Sequence, residues 1–178
     1  MNIFAQILSI IAMAIVIISF QSKSQKTIIA MQLVSATLFA VSFLMLGTIT
    51  GALLNFVATV RALIYFNKEK LHADKPIWVV LFVVIYVGVY VLTFTVFNTE
   101  RTVQNLVIEL LPVIGMTASN LGFYKKDAKS VRRFGLISSP SWLIYNIIHN
   151  SIGATLCEAI SLISIFIGML RHDVKKKA

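Results

Sequence analysis

Residues 27–66 read TIIAMQLVSATLFAVSFLMLGTITGALLNFVATVRALIYF, with Arg61 as their one charged side chain. A single helix of this length would run about 60 Å at 1.5 Å per residue, twice the hydrocarbon thickness of a bilayer at ~30 Å. The stretch therefore folds back on itself, and Gly47-Thr48-Ile49-Thr50-Gly51 supplies the glycines and small polar residues of a turn. Residues 131–170 repeat the pattern, with Asn150-Ser151-Ile152-Gly153 as the second turn.

Around these hairpins the same reading predicts seven apolar spans: Ile3 to Phe20, Thr27 to Leu46, Gly51 to Phe66, Ile77 to Phe97, Val103 to Tyr124, Phe134 to Asn150 and Ile152 to Leu170. Composition agrees: 58% of the residues are hydrophobic and 13% charged, with mean hydropathy +0.86, too apolar for a water-soluble domain to cover with polar surface. The fold class expected is an all-α, polytopic transmembrane protein with the lipid bilayer as its main partner. Met1-Asn2 lacks the basic segment of a cleaved signal peptide, so the first span is expected to remain.

Of the sixteen lysines and arginines, all but Arg101 fall in or beside the linkers after the first, third, fifth and seventh spans. Arg61 is counted with them, its stem expected to snorkel toward the same interface. Positive charge marks the cytoplasmic side, which predicts an outer N-terminus and a cytoplasmic C-terminus in a bacterial inner membrane. The asymmetry accounts for the net charge of +9 without a nucleic-acid partner, since the basic residues flank spans instead of sharing one face with aromatics. Anionic headgroups are natural company for them.

Seven spans divide as 3+1+3: a first triple-helix bundle over 1–66, a linker helix with flanking loops over 67–102, and a second triple-helix bundle with a basic tail over 103–178. A shift of 103 residues lays Met13 on Met116, Phe20 on Phe123, Lys23 on Lys126, Ser35 on Ser138, Phe39 on Trp142 and Asn55 on Glu158, and superposes the hairpin turns. Parallel repeats about an axis along the membrane normal are a transporter architecture, with the substrate site near the midplane between them.

Polar residues within spans are functional candidates, because a carboxylate at the bilayer centre costs at least about 2.5 kcal/mol. Glu109 and Glu158 qualify, each open to a second reading as a hydrated residue near the outer interface. Asn55 either contacts a solute or bonds helix to helix, and Asn146 lies near the outer end of the sixth span as a further solute contact. Trp142 either stacks on a flat solute or anchors the protein at the interface. Pro112 and Pro140 mark hinges or passive kinks, and Gly115 permits close helix contact. His149 caps the second hairpin. Three histidines and the single Cys157 offer no metal-ligand spacing, no cofactor motif is present, and no nucleophile-and-base pattern appears, so neither a metal, a cofactor nor an enzyme is expected.

Glu109-Leu-Leu-Pro-Val-Ile-Gly115, Trp142-Leu-Ile-Tyr-Asn146 and Ser151-Ile-Gly-Ala-Thr-Leu-Cys-Glu158, with Leu46-Gly-Thr48 and Arg61, resemble the YgjV-type family of bacterial inner-membrane proteins across nearly the whole chain. A more distant similarity is to the SWEET and PQ-loop transporters, built as two parallel triple-helix bundles around a linker helix. That resemblance implies a gating proline and solute-contacting Trp and Asn residues. Pro112, Trp142 and Glu158 stand at the second-bundle positions, Phe39 and Asn55 at the first. Ser9 stands where the first-bundle proline would be, no Pro-Gln pair occurs, and an acid replaces one asparagine, which favours an amine-bearing solute over a sugar.

The expected function is a transporter or facilitator of a small polar solute, its site lined by Phe39, Asn55, Trp142, Asn146 and Glu158. The alternative is a non-transporting membrane module, such as a receptor, immunity factor or assembly partner, whose intramembrane polar residues are structural. Oligomerisation is left open.

Overall fold

The computed structural model describes residues 3–46, 49–96, 99–148 and 152–174, and among them all regular structure is helical. The helices are α1 (Ile3–Ser19), α2 (Gln25–Met45), α3 (Ile49–Phe66), α4 (Pro76–Thr95), α5 (Val103–Tyr124), α6 (Ala128–Ile148) and α7 (Ile152–His172). Pro76–Thr95, Val103–Tyr124 and Ala154–His172 are long and apolar enough to cross a membrane by themselves. Ile3–Ser19 and Ala52–Phe66 are shorter apolar helices.

Helix starts follow local chemistry. The Ser24 side chain accepts from the Thr27 amide, the Thr102 side chain accepts from the Asn105 amide, and Pro76 opens α4, where its missing N–H costs nothing. Asp127 accepts from the Ser130 amide at 2.7 Å and the Ser130 hydroxyl at 2.8 Å. That cap starts α6 at Ala128, six residues before the span predicted from Phe134. Lys129, Arg132 and Arg133 therefore belong to a helix, where the sequence placed them in a linker. Of the predicted turns, Ile49, Thr50 and Gly51 already belong to α3, and Ile152 and Gly153 to α7. Gly47, Thr48, His149, Asn150 and Ser151 lie outside the described residues.

Helix α2 packs between α1 and α3, and α6 between α5 and α7. Across the molecule α1 meets α7, α2 meets α6 and α3 meets α5, while α4 lies against α5. Small residues allow the close approaches. Ala5, Ala12, Ser35 and Ser42 are fully buried between α1 and α2. Ser35 Oγ donates to the Ala12 carbonyl at 2.8 Å and Ser42 Oγ to the Ala5 carbonyl at 2.7 Å, with Ser9 Oγ 2.7 Å from Ser42 Oγ. Gly168 admits the backbone of Phe20, whose carbonyl oxygen would sit 2.4 Å from a Cβ at that position.

The outward faces are apolar, with Val103 79% exposed and Leu170 72% exposed. Such a surface suits hydrocarbon as its solvent. The core gathers Phe20, Ile28, Tyr65, Phe82, Tyr86, Phe123, Val131 and Ile165.

Candidate functional site

Two polar features lie between α1–α3 and α5–α7. The first is a cavity of about 30 Å³ where α2, α5 and α6 meet below the end of α1, lined by Phe20, Gln32, Ser119, Phe123, Val131, Gly135, Ser138 and Ser139. Ser119 Oγ and Ser138 Oγ lie 2.8 Å apart on its wall. A cavity of this size holds a water or two among the amide and hydroxyl groups.

The second is a hydrogen-bonded network at the end of the bundle where most of the lysines and arginines gather. Arg132 is 1% exposed; its Nη1 donates to the Phe20 carbonyl at 3.2 Å and the Ser22 carbonyl at 2.7 Å. The rest of its guanidinium forms a two-pronged ion pair with Asp173, Nε to Oδ2 at 2.9 Å and Nη2 to Oδ1 at 2.5 Å. His172 Nε2 lies 2.7 Å from the Gln21 carbonyl, and Gln21 Nε2 donates to the Ser164 carbonyl at 2.7 Å and its Oγ at 2.8 Å. Ser164 Oγ in turn donates to the Ile17 carbonyl at 2.6 Å. The C-terminal end of α1, where backbone carbonyls lack helical partners, is thus satisfied by α6 and α7.

The C-terminal end of α5 is satisfied from the other side. Gln25 Nε2, at the start of α2, donates to the carbonyls of Gly122 at 3.0 Å, Phe123 at 3.3 Å and Lys125 at 2.6 Å. Lys68, just beyond α3, donates to the Tyr124 carbonyl and, at 2.9 Å, to that of Lys125. Burial, with Lys126 adding to it, pushes the Lys68 pKa below its ordinary value.

The residues singled out from the sequence fall elsewhere. The indole edge of Trp142 rests on Gly115, where an added Cβ would meet Cδ1 and Nε1 at 2.9 Å. Its ring stands edge-on to Tyr145 at 5.8 Å, and Tyr145 Oη donates to Glu109 Oε2 at 3.4 Å. Glu158 is partly buried on α7 and faces Ser139 of α6. Pro112 is buried in α5 and Pro140 half-buried in α6, each inside an uninterrupted helix. Phe39, Asn55 and Asn146 are half-buried, and the Asn55 carbonyl accepts from Thr59 Oγ1 at 2.8 Å. None of the five expected solute contacts lines the cavity described here.

Arg61 corrects the snorkelling expectation. It is 7% exposed, and its Nη1 donates inward to Tyr86 Oη at 3.2 Å and the Met116 carbonyl at 3.3 Å. Its guanidinium lies over the Phe123 ring, 5.0 Å from the centroid, so hydrogen bonds and a ring face outcompete the interface. Gln21, Gln25, Gln32, Asn120, Ser139 and the Arg132–Asp173 pair went unremarked in sequence as site residues. The repeat offset was the available signal for some of them, since it sets Gln32 opposite Gly135 on the same cavity. Among the described residues no three His, Cys, Asp or Glu side chains gather as a metal site.

A family model described as Imp-YgjV, bacterial inner membrane protein, matches residues 3–176. No curated protein and no solved structure matches the chain.

Proposed function

The chain belongs to the Imp-YgjV family of bacterial inner membrane proteins, and from that premise we propose that it carries a small polar solute across the membrane between two like-oriented three-helix units. The units are α1–α3 and α5–α7, joined by α4, with the basic end of the bundle in the cytoplasm as charge placement requires. The solute is moved without being altered. Gln32, Ser119, Ser138 and Ser139 offer it neutral donors and acceptors, and Glu158 behind Ser139 favours an amine.

One observation carries this reading: the clamps at the basic end are reciprocal. The end of α1 is gripped by α6 and α7, and the end of α5 by α2 and the residue just past α3. This is the same arrangement with the units exchanged, as a parallel repeat about a membrane-normal axis demands. The 103-residue offset also pairs Phe20 with Phe123 and Gln32 with Gly135, and all four line one cavity. These clamps hold the two units together at the basic end, as in a carrier closed on that side.

The test is cysteine accessibility. In a Cys157→Ala background, Gln32→Cys or Ser138→Cys is exposed to a membrane-impermeant maleimide in right-side-out and inverted vesicles. A carrier closed at the basic end labels from the outer face, and adding Arg132→Gln brings labelling from the basic face. Cavity residues sealed from both faces in every variant would reject transport. That outcome would favour a non-transporting module, for which the small cavity and the Tyr145 hydroxyl on Glu109 speak.

A further inference from the structure

Arg61 brings a buried guanidinium into the junction of α3, α4 and α5. Among the described residues no carboxylate lies within ion-pairing distance of its guanidinium. Two long hydrogen bonds and the Phe123 ring compensate it only in part, since an unpaired buried charge ordinarily costs several kcal/mol.

Three buried polar atoms here lack partners: Arg61 Nε, Tyr65 Oη and Asn120 Oδ1. Arg61 and Tyr65 lie one turn apart on the same face of α3. Tyr65 sits between Phe82, with ring centroids 6.3 Å apart, and Phe123 at 6.2 Å. Asn120 lies on α5 between Met116 and Phe123, both of which contact Arg61, and its Nδ2 donates to the Val79 carbonyl of α4 at 3.2 Å. Unsatisfied groups at one junction point to a bound water or ion.

We propose that this junction binds a small monovalent anion of the halide class, held by Arg61 Nε and Tyr65 Oη, with an accompanying water on Asn120 Oδ1. The charge decides against water alone, which leaves the guanidinium uncompensated. Enclosure decides against larger oxyanions and lipid headgroups: Arg61, Tyr65, Phe82, Tyr86, Asn120 and Phe123 are all buried. Lys68, 6.0 Å from the centre of the Tyr65 ring and 5.4 Å from that of Tyr124, makes the way in from the basic end electropositive. This site stands apart from the transport reading.

The experiment is thermal unfolding of the purified full-length protein in chloride, bromide or gluconate at matched ionic strength, because a ligand of the folded state raises its Tm in a saturable way. Chloride and bromide are expected to raise Tm, Arg61→Gln to abolish the rise, and Tyr65→Phe to increase the half-saturating chloride about tenfold, as for one lost hydrogen bond to a charge. Should Arg61→Gln fail to fold, the wild-type titration and Tyr65→Phe decide alone. Equal Tm in chloride and gluconate would mean a water only and overturn the proposal. So would a halide effect left unchanged by Tyr65→Phe.

Discussion

The Arg132–Asp173 pair makes a quantitative demand on stability. Its side chains are 2% and 6% exposed, and removing one partner of such a pair typically costs about 3–5 kcal/mol, because the other charge stays buried. Asp173→Asn leaves Arg132 with the Phe20 and Ser22 carbonyls, which places its cost at the lower end, about 3 kcal/mol. Arg132→Gln strands a buried carboxylate and frees both carbonyls, for about 4–5 kcal/mol. The double variant buries no charge and lets two amides meet, so its cost should fall short of the sum by about 2–3 kcal/mol. Reversible unfolding in mixed micelles measures all four corners of this cycle. Additivity within about 0.5 kcal/mol would refute the claim that the two groups act as a buried pair.

The glycines form a graded series. Gly168→Ala drives a Cβ against the Phe20 carbonyl and should cost about 3 kcal/mol, whereas Gly115→Ala meets a side chain that can retreat, costing about 1 kcal/mol and shifting Trp fluorescence. Gly88→Ala, with nothing within 4 Å, should leave Tm unchanged or raise it. Asn120→Ala removes the bond to Val79 and should lower stability by about 1 kcal/mol in the same unfolding assay. Gln25→Ala loses an uncharged clamp and should cost about 1–2 kcal/mol, well under the cost of Arg132→Gln.

The helical fold was legible because lipid permits few alternatives: spans of apolar residues, and hairpins where a stretch is twice too long. The start of α6 was not, since a cluster of lysines and arginines near 125–133 looks like solvated flanking charge. Only the partner shows that Arg132 is different, and Asp173 lies beyond the last apolar stretch, with nothing local to announce it. The site residues suffered from a related ambiguity. A hydroxyl or amide in a span reads the same whether it faces a cavity or stitches two helices, so Ser35 and Ser42 bonding to α1 carbonyls and Ser138 on the cavity wall were indistinguishable in sequence. The sequence leaves Trp142 open between a solute platform and an interfacial anchor; the missing side chain at Gly115 gives its ring a seat within the α5–α6 seam.

The repeat on which the proposed carrier rests is broken where it matters for movement. Under the 103-residue offset Arg132 falls on Ile29, Asp173 on Lys70 and Gly168 on Tyr65. The ion pair therefore exists in one copy alone. The end of α1 is held by a buried charge and a backbone contact, while the end of α5 is held by an amide, a half-buried ammonium and packed rings. Two symmetric clamps would release together; these differ in chemistry, a buried ion pair on one side and an amide with a half-buried ammonium on the other. In the carrier proposed above, a motion that separates the units at the basic end begins at the α5 side, where Gln25 and Lys68 are less buried than the ion pair, with the end of α1 as the pivot.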